Sequence, residues 1–199
     1  MRYVKLSPTK AAAWVDCPRR FFYSYVERRR VKSSWAHFTY GNVVHRALKE
    51  WFDLEPDQRS TELIERSVFA SWSDDGFRDI EHSRAWRDRA VVVVTDYLAQ
   101  VDSGVEPLAT ERTLAFKDDA SGFVMEGRID RLDNDGTAVM VVDYKTASRC
   151  RPRTTSEVPK RWLCTRSWCR KFWAAPAVRS RFIMCRREAS FPGSTRHSR

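Results

Sequence analysis

The sequence predicts an α/β fold, with a helical N-terminal half packed on a small mixed sheet that contains an antiparallel meander. Three observations carry that reading. Up to about Pro107 the apolar residues recur at helical spacing, and beyond it they alternate with polar ones. Two clusters of turn residues, Asp118 to Gly122 and Asp133 to Gly136, divide the second half into three short segments joined tightly enough to be antiparallel. The last segment holds a nearly pure aliphatic run, Val139 to Val142, as a buried central strand does. A chain of 199 residues has room for one domain of this kind.

Taken in order, Ser7-Pro8 reads as an N-cap followed by proline at the first helical position. The next stretch is apolar and aromatic (Trp14, Phe21, Phe22, Tyr25), with a restart at Pro18 after Cys17. From Gly41, GNVVHRALKEWF places Val44, Ala47, Leu48 and Trp51 on one helical stripe. Ser60 or Thr61 caps a helix carrying Leu63, Val68 and Trp72. A longer helix is expected from about Asp79 to Gln100, ended by Asp102-Ser103-Gly104, although its VVVV segment is β-prone. ERTLAFKD, FVMEGRIDRLD and AVMVVDYKT then read as three strands, the last two joined through Asn134-Asp135-Gly136.

The net charge of +10 suggests a nucleic-acid partner until the charge is located. Residues 147–199 hold 14 Arg and Lys against Glu157 and Glu188, whereas residues 1–146 hold 22 basic and 24 acidic side chains. The basicity belongs to the tail. The cysteines divide the same way, Cys17 in the body and Cys150, Cys164, Cys169 and Cys185 in the tail, and an odd count argues against a disulfide framework. The opening MRYVKLSPTK has no apolar leader segment, and the longest aliphatic run, Ala90 to Val94, is far below the roughly 20 residues of a membrane helix. A cytoplasmic chain with no membrane partner is expected.

Strand residues two apart share a face, which groups Glu126, Arg128 and Asp130 on one strand and Val141, Asp143 and Lys145 on the next. Ionised groups at the end of a buried strand need partners. If Asp130 and Asp143 face each other at about 4 Å, they repel by about 4 kcal/mol at an effective dielectric of 20. A divalent cation removes that penalty, and hard carboxylate oxygens suit Mg²⁺. Lys145 on the same face would stabilise charge developing on a phosphate. An ordinary ion pair between Asp143 and Lys145 at a strand end is the plainer alternative, and His45 read alone is a half-buried histidine satisfied by a carboxylate.

GRID (Gly127 to Asp130) followed by VVDYKT (Val141 to Thr146) resembles motifs II and III of the PD-(D/E)XK nuclease superfamily, most closely its RecB-type exonuclease family. The upstream G-x-x-x-H of Gly41 to His45 and the opening LSPTKAAAWVDCPRRFFYSYV are similar to that family's helix and entry segment, so the resemblance covers about residues 5–146. It implies a restriction-endonuclease-like core and Mg²⁺- or Mn²⁺-dependent hydrolysis of DNA phosphodiesters in repair or recombination. It also implies Asp130 and Asp143 as metal ligands, and His45 as the helical ligand or phosphate contact. Lys145 becomes the residue that positions water and steadies the scissile phosphate. Glu111 and Glu126 are the weaker carboxylates, Glu126 being read as solvated or supporting. A non-catalytic DNA-binding or scaffold module on the same fold is the alternative, and no helicase or repair partner is read from the sequence. Some members of the family bind an iron–sulfur cluster through a cysteine at the position of Cys17 and three near the C-terminus. Here the later cysteines lack the compact spacing, so Cys17 is read as a small buried hydrophobe.

Residues 147–199 do not continue the pattern. They contain no Asp or Tyr, a single Leu, and an excess of Arg, Trp and Cys. A basic aromatic nucleic-acid arm is one reading. An out-of-frame translation fits better: shifted by one nucleotide, Arg161 to Trp168 permits A-L-A-L-Y-A-L-V, an apolar helix with the family's motif-IV tyrosine. Arg181 to Arg196 likewise permits an alternating strand. The domain is therefore expected to span residues 1–146, incomplete after motif III, with the tail non-native or disordered.

Overall fold

A computed structural model describes residues 3–29, 35–134, 136, 138–146 and, as backbone, 178–183. Five strands, β1 (Val4–Leu6), β2 (Ala109–Asp118), β3 (Phe123–Asn134), β4 (Val139–Tyr144) and β5 (Val178–Ile183), form one mixed sheet. The helices are α1 (Pro8–Asp16), α2 (Pro18–Phe21), α3 (Ala36–Phe52), α4 (Thr61–Ser71) and α5 (Ile80–Leu98), with a π-helical turn at Phe22–Val26 after α2. The fold is the expected α/β architecture, consistent with a restriction-endonuclease-like core.

Local chemistry sets most boundaries. Ser7 Oγ accepts the Lys10 amide at 3.2 Å and Pro8 opens α1. Asp79 Oδ1 accepts the His82 amide at 2.7 Å to start α5. Gly122 and Gly136 take left-handed φ values of +69° and +82° in the two hairpin turns, where a side chain would be strained. The VVVV segment lies inside α5, because Ala90, Val94, Tyr97 and Leu98 form a buried stripe whose packing overrides β propensity. α3 begins five residues before the Gly41 start of the apolar pattern, with Trp35 at its N-cap.

The central element is β3. Along nearly its whole length it pairs antiparallel with β2, from Phe123↔Asp118 to Leu132↔Ala109. Its other edge is therefore shared. β1 runs parallel to it over Phe123–Met125, and β4 runs antiparallel over Arg131–Asn134. Residues 126–130 lie between those two ladders. β5 pairs in parallel with all of β4, Val139↔Val178 through Tyr144↔Ile183.

Three features differ from the sequence reading. β1 is three residues long, too short to show an alternation of its own. β5 comes from the stretch set apart as a tail, where Val178, Phe182 and Ile183 are β-prone residues. Cys17 is not a buried hydrophobe: it is a free, half-buried cysteine at the N-cap of α2, its Sγ accepting the Arg20 amide at 3.4 Å, because Pro18 forces the helix to restart there. Cys150, Cys164, Cys169 and Cys185, and the segment Arg161 to Trp168, lie outside the described residues.

The main core joins the α3 stripe (Val44, Ala47, Leu48, Trp51) to Ile64 and Val68 of α4, Ala90 and Val94 of α5, and Val142 and Tyr144 of β4. A smaller cluster, Leu114, Ile129, Leu132 and Val141, joins β2, β3 and β4. Arg131 of β3 crosses into the main core at 4% exposure. Its Nε and Nη2 donate to Asp133 Oδ2 at 3.1 and 2.8 Å, and its Nη1 donates to the hydroxyls of Tyr97 and Tyr144 at 3.2 and 3.4 Å. The guanidinium lies 4.1 Å from the centroid of the Phe52 ring.

Breaking a buried pair by removing one partner costs about 3–5 kcal/mol, because the other charge stays buried. Arg131→Ala is therefore expected to lower the thermal midpoint by about 10 °C or more. Arg131→Met with Asp133→Leu should recover most of that loss. Calorimetric melting of the two variants checks both outcomes.

Candidate metal centre

The site forms where β3 and β4 stop pairing. The ladder ends at Arg131↔Val142, and one residue further Asp130 and Asp143 would be the next rung. There the Asp130 side chain takes over from the backbone, Oδ2 accepting the Tyr144 amide at 2.7 Å. The other oxygen, Oδ1, points to His45 Nδ1 at 3.5 Å.

His45 is set by α3. It follows Val44, which has no exposure, so its side chain emerges at the rim of the core with 27% of its surface accessible. The ring stands edge-on to Tyr144, with centroids 5.7 Å apart and an interplanar angle of 84°. One turn earlier, a Cβ on Gly41 would meet Thr146 Oγ1 at 3.3 Å. The glycine therefore lets α3 approach the end of β4, which explains the spacing in G-x-x-x-H.

The third member is Glu111 of β2, which the sequence reading ranks low. Its Oε1 lies 3.2 Å from His45 Nδ1, its other oxygen lies 2.5 Å from Arg128 Nε, and its side chain is 10% exposed. The hairpin register puts Glu111 opposite Asp130, between the rungs Thr110↔Arg131 and Arg112↔Ile129, yet that rung is missing. Glu111 has a left-handed φ of +43°, a conformation costing a non-glycine residue on the order of 1–3 kcal/mol. The twist coincides with the turning of its carboxylate toward His45. Counting back from the Asp118–Gly122 turn would have found it.

Ligand atoms of His45, Glu111 and Asp130 all lie within 4.8 Å of one another. Of the four residues singled out in the sequence, His45 and Asp130 are thus brought together. Asp143 does not fall in that group; it pairs with Lys145, at side-chain exposures of 19% and 33%, on the β4 end that begins beyond Val142. Glu126 lies elsewhere, accepting from Lys5 Nζ at 2.7 Å across β1 and β3. One imidazole nitrogen and two carboxylates form a donor set suited to a hard or borderline divalent cation, so the residues fit such an ion.

Burial works against a charge on His45, but the hydrogen bonds and charges of Asp130 and Glu111 outweigh it and raise its pKa to about 9. From the ordinary value of 6.5 up to about 9 the native state thus holds a proton that the unfolded chain releases. The stabilisation is complete below about 6.5 and is lost as pH rises through about 9. In chelator, the thermal midpoint should fall across that window, and His45→Gln should remove this fall. A cation must displace the same proton, so the apparent affinity for Mn²⁺ should rise with pH across that window, as titration calorimetry in several buffers would measure.

Among the described residues, no helix is long and apolar enough to cross a membrane. No curated protein matches the chain. The model of one protein family does, over residues 5–164, which takes in β2, β3, β4, the α3 histidine and the Asp-x-Lys end of β4, but not β5. Members of that superfamily use divalent metals and act on DNA. The chain belongs to the PD-(D/E)XK nuclease superfamily.

Proposed function

We propose that this protein is a Mg²⁺-dependent deoxyribonuclease of the RecB exonuclease type, acting in the cytoplasm in DNA repair or recombination. The observation that carries the proposal is the convergence of His45, Glu111 and Asp130 within 4.8 Å, beside the Asp143–Lys145 pair. The exonuclease assignment rests on the order of G-x-x-x-H, GRID and VVDYKT along the chain.

His45, Glu111 and Asp130 would hold the cation, with Asp143 joining from β4. A bound divalent cation supplies Lewis acidity at the scissile phosphate and lowers the pKa of water. The protein residues do the rest. Asp130 keeps one oxygen on the Tyr144 amide, which fixes the other toward the site. Arg128 orients Glu111 from the rim. Lys145, a compact charge on the end of β4, donates to phosphate oxygens as negative charge grows on them. Its contact with Asp143 holds the ammonium in place before DNA arrives.

Titration of Mn²⁺ should show a site that Asp130→Ala abolishes, and Mg²⁺ should support degradation of DNA that chelator stops. Lys145→Ala should fold normally and lose about 10²–10³ in rate. Undiminished metal binding by Asp130→Ala, or full activity of Lys145→Ala, would sink the assignment.

A further inference from the structure

The start of α3 carries a cluster of aromatic rings that the core does not use. Trp35 and Phe38 are 55% and 60% exposed, and His37 is exposed beside them. The three rings are already in contact. His37 lies 4.4 Å from Phe38 and 6.1 Å from Trp35 between centroids, tilted by 41° and 40°. The next ring inward, Tyr40, behaves as a core residue, 4% exposed and edge-on to Trp86 at 5.1 Å. Among the described residues, the outer cluster therefore stands outside the core clusters and presents apolar ring surface to solvent.

Its position is tied to the metal centre. Phe38 precedes His45 by seven residues, almost two full turns, so the two project from the same face of α3, about 10 Å apart along the axis. Between them Gly41 carries no side chain and backs onto Thr146 at the end of β4. That separation corresponds to about three stacked nucleotides. In sequence, the eight residues before Trp35 read ERRRVKSS, four basic residues to one acid, Glu27, which pairs with Arg29. A basic stretch directly before exposed aromatic residues in the sequence matches the two parts of a nucleic-acid strand, phosphates and bases.

We propose that Trp35, His37 and Phe38 form a base-stacking platform that receives unpaired nucleotides of a single-stranded DNA end whose scissile phosphate reaches the His45 site. The occupant is a single strand because the bases of a duplex are stacked on each other and cannot offer a free face to a protein ring. This rests on the nuclease reading for the identity of the polymer. The platform itself is tested by binding without cleavage.

The probe is a fluorescein-labelled oligothymidylate of about 12 nucleotides, compared in chelator with an abasic strand of equal length and charge and with a duplex. The full chain should bind the base-bearing strand about tenfold or more tightly than the abasic one. Trp35→Ala with Phe38→Ala should lose that preference and keep both its thermal midpoint and its weak affinity for the abasic strand. Trp35→Phe with Phe38→Tyr should retain the preference. Equal binding of base-bearing and abasic strands by the wild type would overturn the platform. So would an alanine variant that still prefers bases, or a duplex bound as tightly as the single strand. Since no metal is present, failure here is separable from failure of the metal titration, which tests the nuclease reading.

Discussion

The hydrogen bond from the Tyr144 amide to the Asp130 carboxylate is the constraint on which the rest of the structure depends. A buried backbone N–H must be satisfied, and where β4 leaves β3 only a side chain can do it. Asp130 meets that need and so holds the two strands together while their backbones separate. The separation makes room for His45 from α3 on one side and exposes the Asp143–Lys145 end of β4 on the other. One residue along β3, Arg131 anchors the still-paired part of the strand into the helical layer through Asp133, Tyr97 and Tyr144. Tyr144 thus takes part twice, by its amide at the site and by its hydroxyl in the core. Burial and the neighbouring tyrosine keep that hydroxyl protonated, outweighing the nearby guanidinium.

How much of this the sequence discloses depends on the range of the interaction. Capping at Ser7 and Asp79, the α3 stripe and the two glycine turns are local, and each is legible from neighbouring residues. The pair Asp130 and His45 is legible from motif order. Glu111 is hard to see because its role depends on a backbone distortion that no composition rule announces, although the hairpin register points to it. Arg131 is hidden for a different reason: an arginine in a charged strand end reads as solvated, and only the aromatic layer formed by Phe52, Tyr97 and Tyr144 makes burial tolerable. β1 and β5 depend on parallel pairing with distant strands, which short segments do not advertise.

Two charged clusters therefore sit side by side on β3, and they differ in how acceptors and cationic donors are matched. Around Arg131, one guanidinium meets one carboxylate and two hydroxyls, so opposite charges are matched one to one, although Asp133 Oδ1 is buried without a hydrogen-bond partner. Around His45, Oε1 of Glu111 and Oδ1 of Asp130 converge on a single ring nitrogen, which can donate one proton. Two acceptors sharing one donor, beside a residue with left-handed backbone, is a poor arrangement for stability alone. A fold under no other demand would relieve it by relaxing Glu111 into the ladder beside Thr110 and Arg112. The chain instead keeps the strain and holds the imidazole protonated. A cation that replaced the proton could accept electron pairs from all three groups at once, which a single N–H cannot do. The cluster with one cation per carboxylate serves the fold; the one in which two carboxylates share a single imidazole proton is where chemistry is expected.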